Sequence, residues 1–214
     1  MRDDSKAEAR AAIKVDLERF DGWCGCEKAT KLFDTIIDLN PSLIVEVGVY
    51  GGRSLVVMAT AALYLDHSCK VFGFDTWDVN HSLEHLMPLE SASDREAKEY
   101  WVTQNPRAIY DEMMRRLSDH EMMAEVIPVC EESANASGLF LNDSIDMLHL
   151  DANHSEWAST RDVLLWVPKV RSGGIVCLDD TNFDSLPTAI RFTLQYCDEV
   201  YSPEDKQYTI YRKR

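Results

Sequence analysis

The stretch Leu43-Ile44-Val45-Glu46-Val47-Gly48-Val49-Tyr50-Gly51-Gly52-Arg53-Ser54 constrains this chain more than any other. The four apolar positions Leu43, Ile44, Val45 and Val47 within 41–47, interrupted by Glu46, predict a short buried strand, and the run from Leu55 to Leu63 has helical periodicity. Glycines at 48, 51 and 52 lie between them, where the backbone must turn sharply and where a ligand could approach the main chain. Strand, glycine turn and helix make the opening unit of a nucleotide-type α/β fold, with free N–H groups at the helix start that suit an anion.

The rest of the chain repeats that alternation. Strands are expected at 71–75, 126–129, 145–150 and 174–178, with helices between them, most clearly over 154–170 through Trp157, Val163, Leu164, Trp166 and Val167. Two further β segments, Val200-Tyr201 and Tyr208 to Tyr211, flank the turn-forming Ser202-Pro203-Glu204-Asp205. The fold class is therefore α/β: a Rossmann-like, doubly wound sheet, mostly parallel with an antiparallel terminal β pair and helices on both faces. Two amphipathic helices precede it, over 5–20 (Ile13, Val15, Leu17, Phe20) and about 27–39. A polar insertion at about 79–120 carries two helical pieces, 92–103 and 106–118. Its Trp101, Tyr110, Met113 and Met114 suit either a lid that selects substrate or a packed helical satellite. At 214 residues the whole reads as one domain.

Composition narrows the class of partner. A formal net charge of -15 argues against nucleic acid and anionic membrane, and leaves a small-molecule ligand as the better fit. The first residues, MRDDSKAEAR, contain no apolar leader, and no run approaches a membrane span. The six cysteines are scattered without zinc or redox spacing, which suits reduced thiols and a cytoplasmic protein. Whether the first helix covers the mouth of the site or makes a homo-oligomer contact stays open.

Ligands of such sheets bind beyond the carboxyl ends of the strands, and acids gather there: Glu46, Asp75, Asp151, Asp179 and Asp180. Asp75 ends the second strand, where a nucleotide fold places its ribose-holding acid about 20 residues past the glycine turn; it could equally be a plain strand-to-turn residue. Trp77 could stack on a purine or fill the core. Asp151, Asp179 and Asp180 would repel one another unless a cation sat among them, and all-oxygen ligation suits Mg²⁺ or another hard divalent ion. His154 could take a proton near neutral pH or merely end a helix in solvent. Asn153, with Glu156 three residues on, reads as a helix N-cap.

Glu-x-Gly-x-Tyr-x-Gly-x-Ser at 46–54, the acid at 75, Leu150-Asp151, and Gly173-Gly174-Ile175-Val176-Cys177-Leu178-Asp179-Asp180 together resemble a class I S-adenosylmethionine-dependent methyltransferase. More narrowly they resemble the metal-dependent small-molecule O-methyltransferases, of the catechol type and the sugar- or macrolide-tailoring type. Two departures stand out: His154 where the catechol enzymes carry lysine, and Asn153 where the tailoring enzymes carry an acid. The resemblance implies that Gly48, Tyr50, Gly51, Gly52 and Ser54 hold the methionyl part of the cofactor, with Glu46 orienting that loop. It also implies Asp75 on the ribose, Ser133 beside the adenine, Mg²⁺ on Asp151, Asp179 and Asp180, and His154 as base. A nicotinamide-dependent oxidoreductase is the alternative enzyme, although G-x-x-G-G replaces G-x-G-x-x-G. A non-catalytic or hydroxylase-like relative of the same fold is the third reading.

Overall fold

The computed structural model describes residues 10, 11, 13, 14, 17–78, 80 and 92–214. Half of the first expected helix, Val15 included, and residues 79 and 81–91 of the insertion lie outside the described residues.

Seven strands form one sheet in the order β3-β2-β1-β4-β5-β7-β6. They are β1 (Leu43–Val47), β2 (Lys70–Asp75), β3 (Val126–Cys130), β4 (Ile145–Leu150), β5 (Val170–Asp179), β6 (Cys197–Tyr201) and β7 (Tyr208–Lys213). The first five run parallel, and β7 pairs antiparallel with both β5 and β6. This is the doubly wound α/β sheet with an antiparallel edge that the alternation of elements predicts. Among the described residues no helix is long and apolar enough to cross a membrane.

Alternating side chains of the strands feed two cores. Ile44, Met147, Ile175 and Cys177 pack beneath α1 (Cys26–Leu39) and α2 (Arg53–Leu63). Val45, Leu148 and Val176 face α6 (Glu156–Trp166) and α7 (Pro187–Tyr196), through Val163, Trp166, Leu186 and Ala189. The α2 helix is apolar almost all round and buried along Ser54 to Ala62, which fits an element clamped between sheet and neighbours. Its entry requires Gly52 at φ 86, a region costly for a side chain with Cβ. The insertion contributes α3 (Ala92–Thr103) and α4 (Pro106–Asp119), and α5 (Ser133–Ser137) follows β3.

Several boundaries differ from the sequence expectation. Helix α6 begins at Glu156, not 154, because Ser155 is its N-cap and accepts from the Ala158 N–H. Asn153 instead makes a turn just ahead of the helix, its Oδ1 accepting from the N–H of the N-cap Ser155, two residues on, at 2.9 Å. Trp157 and Leu164, expected on the apolar side, are exposed. Strand β5 starts at Val170, earlier than 174, and Gly174 lets it pass close to Asp146: a Cβ there would lie 2.8 Å from the Asp146 carbonyl oxygen.

Candidate active site at the carboxyl edge of the sheet

Register places the chemistry in rows. Val47 stands opposite Phe74 and Leu150, and Leu150 opposite Leu178. One residue further along, Asp75, Gly48, Asp151 and Asp179 therefore line the carboxyl edge. Strand order reverses between β1 and β4, so Gly48 and Asp151 flank the topological switch point where ligands of open α/β sheets bind.

The glycine turn is fastened from several sides. Asp75 accepts from the N–H groups of Val49 and Tyr50 with one oxygen and of Trp77 with the other, all within 2.9 Å. Much of its hydrogen-bonding capacity thus holds the turn itself. Glycine serves here mainly for close packing on the protein's own chain. Added Cβ atoms would meet Asp151 at Gly48, Asp21 at Gly51 and the Met113 side chain at Gly52. Tyr50, at φ 52, offers its carbonyl to Trp77 Nε1 and its hydroxyl to Tyr100 and Gln104. The rings of Trp23, Tyr100 and Trp101 gather on Tyr50 within 6.3 Å of one another. Trp77 packs against the core. It leans edge-on against Tyr110 and also lines a cleft with Tyr50, Asp75, Asp78 and Trp101.

Beneath the turn, Glu46 is fully buried. Its Oε1 accepts from Ser54 Oγ at 2.5 Å and contacts His149 Nδ1 at 2.8 Å, while Oε2 has no partner among the described residues. Burial pushes the Glu46 carboxyl up, and the contacts with His149 and Ser54 offset part of that rise. Ser54 is thus turned towards Glu46. The hydroxyl of Ser133, the residue expected to border an adenine, donates to Asp162 at 2.5 Å and accepts from Trp166 Nε1 at 2.9 Å, tying α5 to α6.

The three carboxylates expected to share one ion do not form one group. Asp179 is ion-paired with Lys28, whose Nζ also lies 3.4 Å from Asp151. Asp180, at φ 49, turns the other way and meets His154 Nε2 at 2.9 Å, with Asp151 at 3.5 Å from the same nitrogen. Despite the cost of burial, these two acids push the His154 imidazole up to about 10, so it stands as a cation at neutral pH. Lys28 and Asp151 remain charged for the same reason, whereas burial and the Asp151 charge push Asp179 up. Among the described residues the sets close enough to ligate one ion are Asp151–His154–Asp180 and His149–Asp151–Asp179. Each contains an imidazole, unlike the all-oxygen shell that Mg²⁺ prefers. The arrangement does not fit Mg²⁺ on Asp151, Asp179 and Asp180 together.

Lys28 and His149 are the two site residues the sequence reading missed. Lys28 had a signal: it occupies the same buried stripe of α1 as Leu32 and Ile36, an unusual place for an ammonium. His149, inside the apolar run Met147 to Leu150, had none beyond its register with Glu46.

Residues 45–181 match the family model described as a methyltransferase domain. No curated protein matches the sequence. Similar solved structures include the O-methyltransferase TomG from Streptomyces achromogenes, involved in tomaymycin synthesis, in complex with SAM. It has TM-score 0.61 and 15% identity over 100% of this chain and 91% of that one. The O-methyltransferase NovP gives TM-score 0.64 and 17% identity over 87% and 78%. An O-methyltransferase from Bacillus cereus in complex with SAH gives 0.56 and 12% over 100% and 92%. At these identities the structures establish the fold.

Proposed function

Since the chain belongs to the methyltransferase-domain family, we propose that it is an S-adenosylmethionine-dependent O-methyltransferase acting on a hydroxyl of a small sugar, polyol or phenol. The observation that carries this reading is the shared wall of the two half-sites. Gly48 of the turn lies so close to Asp151 that a Cβ would sit 2.1 Å from the Asp151 carbonyl oxygen. A donor held by the turn would therefore present its methyl group beside Asp151 and His154. TomG and NovP, both named O-methyltransferases, share this fold.

The cofactor fits the residues present. The cleft lined by Asp75, Asp78, Tyr50 and Trp77 offers carboxylates for ribose hydroxyls and rings for a purine. The partnerless Glu46 Oε2 supplies an acceptor beneath Gly48 to Ser54, the residues proposed to hold the methionyl part. When bound, S-adenosylmethionine supplies an electrophilic methyl group. That methyl group would pass to a substrate oxygen, the new C–O bond replacing the C–S bond, and the hydroxyl proton would have to be taken up by the protein. With His154 already an imidazolium between them, the carboxylates of Asp151 and Asp180, and not the imidazole expected as base, are the groups left to accept that proton. Alignment of oxygen, methyl and sulfur supplies most of the rate.

Isothermal titration with S-adenosylhomocysteine tests the reading. Stoichiometric heat is the expected outcome, with none from a nicotinamide cofactor; the reverse pattern overturns the proposal in favour of an oxidoreductase. With an accepted substrate in hand, Asp151→Asn with His154→Asn should keep cofactor binding and lose methyl transfer.

A further inference from the structure

We infer that Lys28 is the resident cation of the inner acid pair, its ammonium standing between Asp151 and Asp179 where the sequence pattern points to a divalent ion. The inference refines the proposed function and rests on it for the use of the site, but the charge arrangement is read directly from Lys28, Asp151 and Asp179.

Lys28 is 8% exposed and Asp179 likewise 8%. Its Nζ is ion-paired with Asp179 and lies 3.4 Å from Asp151. An ammonium that deep in the protein persists only with anionic partners, and carboxylates that deep persist only with a cation. A metal ligated by both carboxylates would bring a double positive charge to within ion-pair distance of Nζ, so the pair can hold the lysine or the metal but not both.

The lysine is also hard to displace. Lys28 shares the face of α1 that carries Ala29, Leu32, Phe33 and Ile36, all fully buried. Its backbone is therefore fixed by the core, and withdrawing the ammonium would require α1 to move. In return the ion pairs pin α1 across the carboxyl edge beside the switch point. Lys28 is in this sense a positioning residue: it neutralises and orients Asp151, which in turn faces His154.

Mn²⁺ titration of the full chain with S-adenosylhomocysteine present, read by electron paramagnetic resonance and by melting temperature, tests the inference. The wild type should take up no stoichiometric Mn²⁺ that depends on Asp179, and its melting temperature should not respond to the ion. Lys28→Met, which keeps the stem and removes the charge, should melt lower and bind Mn²⁺ roughly tenfold or more tightly than wild type. That gained binding should vanish when Asp179→Asn is added. Stoichiometric Mn²⁺ in the wild type that is lost in Asp179→Asn overturns the inference, as does a folded Lys28→Met with no gain in affinity. If Lys28→Met does not fold, the wild-type and Asp179→Asn titrations decide alone. Failure of S-adenosylhomocysteine to bind in the same samples counts against the methyltransferase reading and leaves the Mn²⁺ result standing.

Discussion

His149 Nδ1 lies 2.8 Å from Glu46 Oε1 on the neighbouring parallel strand, with both side chains completely buried. The pair forms the floor under the glycine turn, because Ser54 at the start of α2 donates to the same oxygen. Replacing His149 by Leu leaves Glu46 buried with Ser54 alone, and should lower the unfolding free energy by about 3 kcal/mol. Glu46→Gln keeps an acceptor for both neighbours and should cost about half as much or less. Urea unfolding of the two variants checks this; a His149→Leu loss under about 1 kcal/mol would mean the pair does not hold the floor.

Asp75 offers a cleaner separation of structure from ligand binding. It accepts from three backbone N–H groups of the turn and of Trp77. Asp75→Ala should therefore cost about 2–3 kcal/mol of stability as well as cofactor affinity. Asp75→Asn retains one acceptor oxygen and should be intermediate in both. If Asp75→Asn is as stable as wild type yet binds S-adenosylhomocysteine as poorly as Asp75→Ala, the carboxylate serves the ribose more than the turn. Calorimetric titration beside denaturant unfolding gives both readings.

Asp162 sets a pH dependence outside the proposed chemistry. Burial pushes its carboxyl up to about 6, against the hydrogen bond from Ser133 and the nearby Arg161. An acid raised in the folded state favours folding while it is protonated; that contribution is complete below its unfolded value and is lost as pH rises towards 6. Relative to Asp162→Asn, which keeps an acceptor for Ser133, the wild type should lose about 1 kcal/mol between pH 5 and pH 7. Parallel unfolding curves with pH for the two proteins would overturn this.

The strands and their order of appearance were legible because buried β-branched runs alternate with helical periodicity, and the cradle because glycines interrupt that pattern between Val47 and Leu55. What sequence spacing could not convey is where each side chain turns. Asp179 and Asp180 are adjacent, yet positive φ at Asp180 sends them to different partners, Lys28 and His154. Lys28 comes from a helix far upstream, so no local motif ties it to Asp151. The start of α6 lies later than expected because Asn153 and Ser155 are both cap formers, and it is Ser155 that accepts from the helix while Asn153 accepts from Ser155. Ser133 follows β3 as expected, but the neighbouring Asp162 and Trp166 claim its hydroxyl.

Gly48 joins the proposed donor and acceptor halves of the site, and its replacement should damage both. At φ 90 the position already disfavours a side chain, and a Cβ would stand 2.1 Å from Asp151 O and 2.6 Å from Ala152 Cα. Those are backbone atoms of the segment leading from β4 towards His154, so relief means moving the acid edge away from the turn. Gly48→Ala should therefore cost more than about 3 kcal/mol, in soluble yield or melting temperature, and weaken S-adenosylhomocysteine binding with it. Gly25→Ala is the control: that N-cap of α1 has φ -74 and nothing within 4 Å of an added Cβ. It should cost no more than about 1 kcal/mol, since alanine is a poorer N-cap than glycine but meets no clash there. Equal tolerance of the two substitutions would mean that the turn and Asp151 do not share a rigid wall, and would remove the observation on which methyl transfer beside Asp151 rests.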